Sequence, residues 1–339
     1  MNKSKGKVLV TGGAGFIGSH LARELLTLGY TVVVLDDLSG GFKVNVPTEA
    51  EFVQGSINDA PLLAQLFKQH QFDYVFHLAA YAAEGLSHFI KRFNYTNNVI
   101  GSVNLINESV KNDVKCFVFT SSIAVYGENQ TPMKEDLIPM PEDSYGIAKF
   151  AVEMELHASH KMFGLNYIIF RPHNVYGENQ NIGDQYRNVI GIFMNNIMKG
   201  SPLVIFGDGE QTRAFSYISD VAPLMAKSLE NPSCYGEIFN VGADKPYTVN
   251  HLAQTVIKTM DATAKITHVE ARNEVKHAYS SHDKVRKFFG QPKYMDLEEG
   301  VARMAQWAKK AGVRKSKEFE GIEIHKLLPS SWVKSSLVK

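Results

Sequence analysis

Two cysteines, Cys116 and Cys234, are all that 339 residues contain, and they form no CxxC pair. A disulfide framework and a thiolate metal site are therefore not expected. Charge of one sign is lacking too: 36 Lys and Arg stand against 35 Asp and Glu, a formal net charge of +1. A chain so balanced has no bulk attraction for nucleic acid or for an anionic membrane surface. No apolar run approaches the roughly 18–20 residues of a membrane span. The first residues, Met1 to Lys7, carry positive charge but no secretory apolar region or cleavage site follows. There is no internal repeat and no low-complexity segment. What is there is an ordinary globular balance, 44% hydrophobic and 21% charged, in a chain long enough for one large domain or two packed ones. The expectation is a soluble protein of a reducing, cytoplasmic compartment. Metal, nucleic acid and membrane are not expected partners.

The first half alternates strand and helix patterns. Runs at 7–11, 31–35, 52–54, 73–78, 116–120 and 167–170 read as strands, and the continuous β-branched run at 31–35 as one buried on both faces. Apolar residues at helical spacing mark helices over 17–28, 61–70, 95–111 and 144–163. Repeated β-α-β units of this kind imply a right-handed, doubly wound parallel sheet. The pattern loosens after residue 173, with a polar loop at 179–188, a helix at 189–199, a strand at 202–206 and a helix at 220–230 despite Pro223. An apolar run at 238–241 precedes a last third of helices and loops. The expected organisation is α/β: a dinucleotide-binding (Rossmann) domain over 1–173 with returns near 214–241, and a smaller C-terminal α/β substrate domain over 174–312. A basic C-terminal extension over 313–339 carries Phe319, Ile322, Ile324 and Trp332. These could pack on the body or on a partner, and an ordered extension is expected.

The segment Thr11-Gly12-Gly13-Ala14-Gly15-Phe16-Ile17-Gly18 places G-x-G-x-x-G at 13, 15 and 18, between a strand and a helix. Gly13 would permit the tight turn, Gly15 would let a pyrophosphate approach the backbone, and Gly18 would let the helix pack on the strand. The helix N-terminus offers free N–H groups and partial positive charge to phosphates. No Gly-Lys-Ser/Thr follows, which excludes a P-loop. At the end of the next strand stand Asp36 and Asp37. A carboxylate there accepts from ribose hydroxyls and repels the extra phosphate of NADP, so NAD is the expected cofactor.

Tyr145 and Lys149 lie four apart at the start of a helix, and so on one face. Ser122 follows a strand end, where open α/β sheets place reactive groups. A phenol is a poor base at its free pKa of about 10. A neighbouring ammonium and a bound nicotinamide cation both favour the phenolate. Ser122 would share a hydrogen bond with the substrate oxygen. His157 and His160, three apart on a helix, have no evident third ligand.

In order along the chain, TGGAGFIG (11–18), HLAA (77–80), Asn98 in NxxG, SSIAVYG (121–127), YGIAK (145–149), RPHNVYG (171–177) and FGDGEQTRAF (206–215) stand as a set. Over roughly residues 7–310 the sequence resembles the extended short-chain dehydrogenase/reductases of the nucleotide-sugar epimerase/dehydratase kind. The resemblance implies catalytic roles for Ser122, Tyr145 and Lys149. It implies NAD contacts at Gly12, Gly15, Phe16, Ile17, Asp36, Asp37, Ser56, Ile57, Leu78, Ala79, Ala80, Asn98, Tyr145 and Lys149. Asn174 and Arg213 fall where the family meets the substrate diphosphate. Glu84, in a Glu84-Gly85-Leu86 stretch similar to the 3,5-epimerising branch, falls at the substrate as well. The family's late arginine appears as Arg272-Asn273-Glu274, one residue short of the usual spacing. Where the family often has an acid after the third-strand glycine, Ser56 follows Gly55.

Sugar dehydratases of the family carry an Asp-Glu pair after the catalytic hydroxyl, and here Ile123 and Ala124 occupy those places. The 3,5-epimerising relatives put a cysteine base at the position of Ala124. What remains is inversion at C4 of a UDP-hexose, by transient hydride transfer to bound NAD. The family's sugar gate falls at Ala278 or Tyr279; a small gate would admit an N-acetyl group, a tyrosine would favour plain hexoses. A uronic-acid sugar stays open. The alternatives are a nucleotide-sugar reductase, another epimerase, or a non-catalytic NAD-binding protein. In relatives the helices matching 95–111 and 144–163 form a dimer bundle, so the resemblance implies a homodimer, while burial within the monomer would give the same amphipathic pattern.

Overall fold

The computed structural model describes residues 4–128, 130–272, 274–290, 294–315, 319–329 and 332. Asn273 of the late arginine motif, and Lys317, Lys334 and Lys339 of the basic extension, lie outside the described residues. A seven-stranded sheet forms the frame. Its members are β1 (Lys7–Thr11), β2 (Thr31–Asp36), β3 (Glu51–Gln54), β4 (Tyr74–His77), β5 (Cys116–Thr120) and β6 (Tyr167–Pro172). The chain then makes four short strands, β7 (Val175–Tyr176), β8 (Leu203–Phe206), β9 (Thr212–Ala214) and β10 (Ser216–Tyr217), before β11 (Ile238–Val241) returns to the frame. The order is β11-β6-β5-β4-β1-β2-β3, and every pairing is parallel.

Strand periodicity of two divides the core into two layers. Val8, Val10, Val32, Val34, Phe76, Val118, Ile168, Phe170 and Phe239 face one side. There they meet α1 (Phe16–Thr27) and, later in the chain, α7 (Val189–Met198), α8 (Ile218–Lys227), α9 (Val249–Thr259) and α11 (Leu297–Ala311). The alternate residues Leu9, Val33, Leu35, Val75, Phe117, Phe119 and Ile169 face the other side. They meet α2 (Ala60–His70), α5 (Gly101–Lys111) and α6 (Ser144–Phe163). Both faces are thus apolar, which is why these strands read as unbroken hydrophobic runs.

Three segments depart from the sequence expectation. The helix expected over 95–111 begins earlier: α3 (Glu84–Ser87) and α4 (Lys91–Tyr95) lead into a π-helical turn (Thr96–Ile100) before α5. The helix expected over 220–230 starts at Ile218, and its last three residues form a separate 3₁₀ turn. The last third, expected to hold helices and loops, also contains β12 (Pro246–Thr248), β13 (Ile266–Val269) and β14 (His277–Ala278), beside α10 (Asp283–Phe289). These make a three-stranded sheet β12-β9-β14 and a pair β13-β8. β12 and β14 hold only three and two residues and β13 is half-exposed, so no apolar run or alternation registers there in the sequence. The small sheets sit beyond the C-terminal ends of β5, β6 and β11, and a deep cavity opens between them and the frame.

Candidate active site

The glycine turn between β1 and α1 is closed by backbone contacts. Gly12 has φ +71°, and a Cβ there would stand 2.7 Å from the amide nitrogen of Ala79. The left-handed residue of the turn is therefore Gly12, where the sequence pattern had pointed to Gly13. Gly13 instead makes room for Val34, whose Cγ1 would lie 2.6 Å from a Cβ. At Gly18 a Cβ would meet the Gly12 carbonyl at 2.3 Å, so the first turn of α1 lies directly on the glycine turn while Leu21, Ala22 and Leu25 further along pack on the strands. The N-terminus of α1 has Gly15 as its cap, no side-chain cap bond and no acid in its first turn. Its N–H groups are left for an anion from outside the helix.

Asp36 ends β2. Its carboxylate accepts from the amides of Ala14 (3.0 Å) and Leu38 (2.8 Å). Burial pushes this carboxyl up, and those two N–H groups work against the shift. Asp37 bends the following turn by accepting from Ser39 N–H at 2.9 Å. Asp36 and Asp37 line the cavity together with Gly12, Gly15, Phe16, Ile17, Ser56, Ile57, Leu78, Ala79 and Ala80. Asn98, expected among them, lies behind that wall in the π turn. Its amide accepts from Tyr81 N–H and donates to the Tyr81 carbonyl and to Asn94. It holds the loop that follows Ala80 and is not itself in the lining.

The three groups expected to act on the substrate arrive from two elements. Ser122 lies two residues beyond β5 and caps a 3₁₀ turn, its Oγ accepting from Ala124 N–H at 3.1 Å. Asp143 caps α6 through Gly146 N–H at 2.8 Å and so fixes where the helix starts. Tyr145 then sits in the first turn and Lys149 one turn on. The Tyr145 phenol and Ser122 line the same cavity, and Ser122 acts on the phenol's ionisation. Lys149 Nζ donates to the Thr120 carbonyl at 2.7 Å and lies 5.8 Å from the centre of the Tyr145 ring. Burial, followed by the negative charge of Glu84, drives the Tyr145 phenol up; the Ser122 contact pulls it down. Burial lowers Lys149 to about 7, partly offset by Glu153. Burial thus opposes charge on both groups.

A buried network behind these residues was not anticipated. Arg171 of β6 pairs with Glu153 of α6, and its Nη1 donates to Tyr126 OH at 2.7 Å. Tyr126 in turn donates to Asn240 of β11, and Ser121 donates to Glu153. The network ties the end of β5 to α6, and so spaces Ser122 from Tyr145. Its sequence signal was available: Glu153 lies one helical turn past Lys149, and Arg171 interrupts an otherwise apolar strand.

The other end of the cavity is assembled from separate segments. Glu84 opens α3. Asn174, at φ +40°, donates to the Ala214 carbonyl at 3.2 Å. Arg213 of β9 donates to the carbonyls of Thr212 and Lys276, both at 2.9 Å, and of Val275 at 2.6 Å. Arg272 lies 4.0 Å over the Phe206 ring and bonds Glu274 at 3.3 Å. All four share one cavity of about 830 Å³ with Ser122, Tyr145 and Lys149. Burial and the nearby Asp143 push the Glu84 carboxyl up to about 7, against the pull of Arg213. A side pocket of about 80 Å³ is lined by Glu84, Ser122, Ala124, Asn174, Arg213 and Ala278; Tyr279 is in the lining of neither. His157 and His160 turn to Tyr167 and to the Leu165 carbonyl, and no cluster of three metal-ligating side chains occurs among the described residues.

Residues 8–242 match the model of a family described as the NAD dependent epimerase/dehydratase family. The chain belongs to that family. Among solved structures it is similar to the UDP-glucose 4-epimerase of Thermotoga maritima with UDP-glucose (35% identity, 90% of this chain and 99% of that one, TM-score 0.85). The UDP-N-acetylglucosamine 4-epimerase of Methanobrevibacter ruminantium, in complex with UDP-N-acetylmuramic acid, shares 32% identity over 90% of this chain and 98% of that one, with TM-score 0.83. The UDP-glucuronic acid 4-epimerase of Bacillus cereus, with UDP-glucuronic acid and NAD, shares 28% over 90% and 99%, with TM-score 0.82.

NAD, the family's cofactor, fits the residues present. Besides the uncapped α1 terminus, two buried oxygens in the cavity wall, Thr120 Oγ1 and Gln180 Oε1, have no partner among the described residues. Polar atoms in that state are completed by a ligand or water. Neither residue was singled out from sequence; Thr120 reads as a strand end and Gln180 as part of a polar loop. No helix among the described residues is long and apolar enough to cross a membrane.

Proposed function

We propose that the protein is a UDP-hexose 4-epimerase that works as a cytoplasmic homodimer. The observation that carries this reading is the meeting of Ser122, Tyr145 and Lys149 in one cavity with two arginines suited to a diphosphate. Gly12, Gly15, Phe16, Ile17, Asp36 and Lys149 would hold NAD, which supplies a hydride acceptor at C4 and a hydride donor to the opposite face afterwards. Tyr145 takes the proton of the C4 hydroxyl and later returns one. Ser122, in the same cavity as the phenol, would hold the same oxygen. In its ammonium form Lys149, together with the nicotinamide of bound NAD, would lower the cost of the phenolate that burial raises. Ile123 and Ala124 offer no side-chain acid or base, so removal of water has no catalyst there.

Net redox change is zero, so cofactor retained on the protein suffices. Ala278 in the side pocket leaves room at the sugar, which favours UDP-N-acetylhexosamines as further substrates beside UDP-glucose and UDP-galactose. The dimer reading is supported by exposed apolar residues on the helix pair: Ile100 leads into α5, and Ile147 and Met154 lie seven apart on one face of α6. Proton NMR of the purified protein with UDP-, GDP-, CDP- and dTDP-sugars tests the activity. A new anomeric signal from a UDP-hexose without added cofactor is expected. Turnover only with added reduced nicotinamide would replace epimerase by reductase.

A further inference from the structure

The chain after α11 lies beyond the stretch, 7–310, in which the family's motifs were found. The T. maritima structure is matched over 99% of its length by 90% of this chain. About a tenth of this chain thus lies outside that match. The described part of this segment is anchored over α3 and α4. Phe319 packs edge-on against Phe93 (4.9 Å between centroids) and beside Tyr81 (5.3 Å). The Glu323 carboxylate accepts the N–H groups of Arg92 and Phe93, both at 3.0 Å, at the start of α4. The amides of Glu323 and Ile324 both donate to the Phe89 carbonyl. Phe319, Ile322 and Trp332 cover buried Ala83, Leu86 and Ile90.

This anchor brings Trp332 into the cavity wall. The indole is edge-on to Tyr186 at 5.3 Å, and the Arg272 guanidinium lies 5.8 Å from its centre, the same guanidinium that covers Phe206. A Cβ at Gly85 would stand 3.3 Å from its Cη2. Trp332 therefore borders both the residue after Glu84 and the arginine that faces the proposed diphosphate. Arg272 Nε is buried without a partner among the described residues, so that guanidinium retains an unspent donor beside the indole.

We infer that the C-terminal segment is a strap that completes the nucleotide-sugar site, with Trp332 the residue that touches substrate. The indole packs against the apolar face of the hexose next to its phosphate linkage and holds the Arg272 guanidinium flat toward the diphosphate. Glu323 is a positioning residue, acting through the strap. The inference rests on the reading of this cavity as a UDP-sugar site.

The test is calorimetric binding of UDP-glucose to the holoprotein, with steady-state kinetics and thermal unfolding alongside. Trp332→Ala is expected to weaken UDP-glucose about tenfold and to raise KM in parallel, with kcat within about twofold, the size of one lost aromatic contact. Trp332→Phe should restore most of the affinity. Glu323→Ala, which keeps the indole but loosens its anchor, should weaken binding about threefold. The chain has two tryptophans, so in a Trp307→Phe background the emission of Trp332 should shift on adding UDP-glucose. Unchanged affinity in Trp332→Ala, or a lowered melting temperature with unchanged affinity, overturns the inference and leaves the strap a structural cover. If the wild type binds UDP-glucose but does not epimerise it, the functional reading falls while the strap is still judged by affinity. If it binds no UDP-sugar, both fall.

Discussion

The two ends of the cavity are built by different means. At the cofactor end a single stretch, from Thr11 to Asp36, supplies the turn, the helix terminus and the carboxylate. Its shape is set by backbone: Gly12 at positive φ, Gly18 against the Gly12 carbonyl, Asp36 bonded to Ala14 N–H. At the sugar end Glu84, Asn174, Arg213 and Arg272 come from four distant segments; Asn174 and Arg213 are positioned by bonds to carbonyls, Arg272 by the Phe206 ring, and both arginines by Glu274. Backbone devices fix one geometry and admit few substitutions. Side-chain assemblies can be altered one residue at a time, which is where a fold shared by enzymes of several sugars can afford variation.

The sharpest way to break this comparison is at the residue where the two ends meet. Tyr145→Phe should lower kcat about a thousandfold, within the usual range for a lost general base, with UDP-sugar and NAD affinity nearly unchanged. Full activity in that variant would move the base elsewhere and dissolve the link between the halves. Next, Gly18→Ala tests the rigidity of the cofactor end. Its Cβ would meet backbone at 2.3 Å, so overpacking should cost about 1–3 kcal/mol in denaturant unfolding and lower NAD affinity as well. If the variant keeps both stability and cofactor, the turn is softer than its packing indicates.

The same contrast explains what could be read in advance. The central frame strands read as apolar runs because both their faces are buried, while β3 at the sheet edge is half-exposed and β11 registered only as an apolar run; the turn was legible because a glycine triplet follows a strand. Even there, the sequence could not distinguish Gly12 from Gly13 as the left-handed residue; that depends on where Ala79 and Val34 come to lie. The resemblance implies a cofactor contact for Asn98, and in the fold its side-chain amide is bonded to Tyr81 and Asn94. The short strands β9, β12 and β14 left no periodic signal, although together they place Arg213 and Ala278. Trp332 was visible only as an aromatic in a basic tail. Nothing local says that Glu323 will cap α4, a helix more than two hundred residues earlier in the chain.

Smaller effects sharpen the account of the sugar end. Arg213→Lys keeps the charge but cannot reproduce three bonds to the carbonyls of 212, 275 and 276 from a planar fork. A KM increase of about tenfold is expected, with NAD affinity unchanged. A matching loss of NAD would mean that the two ends are not separable.

The smallest expected effect is a pH dependence owed to Glu84. Its carboxyl ordinarily titrates near 4.5, and here burial and Asp143 push it up to about 7. Between those values the folded protein holds a proton that the unfolded chain has released, so this group makes stability fall as pH rises through that window. Above about 7 the side chain is ionised beside a substrate that carries a diphosphate, and KM should rise, about threefold at moderate ionic strength. Glu84→Gln removes the ionisation and should flatten the KM profile around neutrality. Lys149 is also drawn to about 7, but it acts on the phenol and so on kcat, which keeps the two inflections apart. A KM profile that stays inflected in Glu84→Gln would assign the repulsion to another acid of the cavity, with Asp143 and Glu274 the nearest contributors to its field.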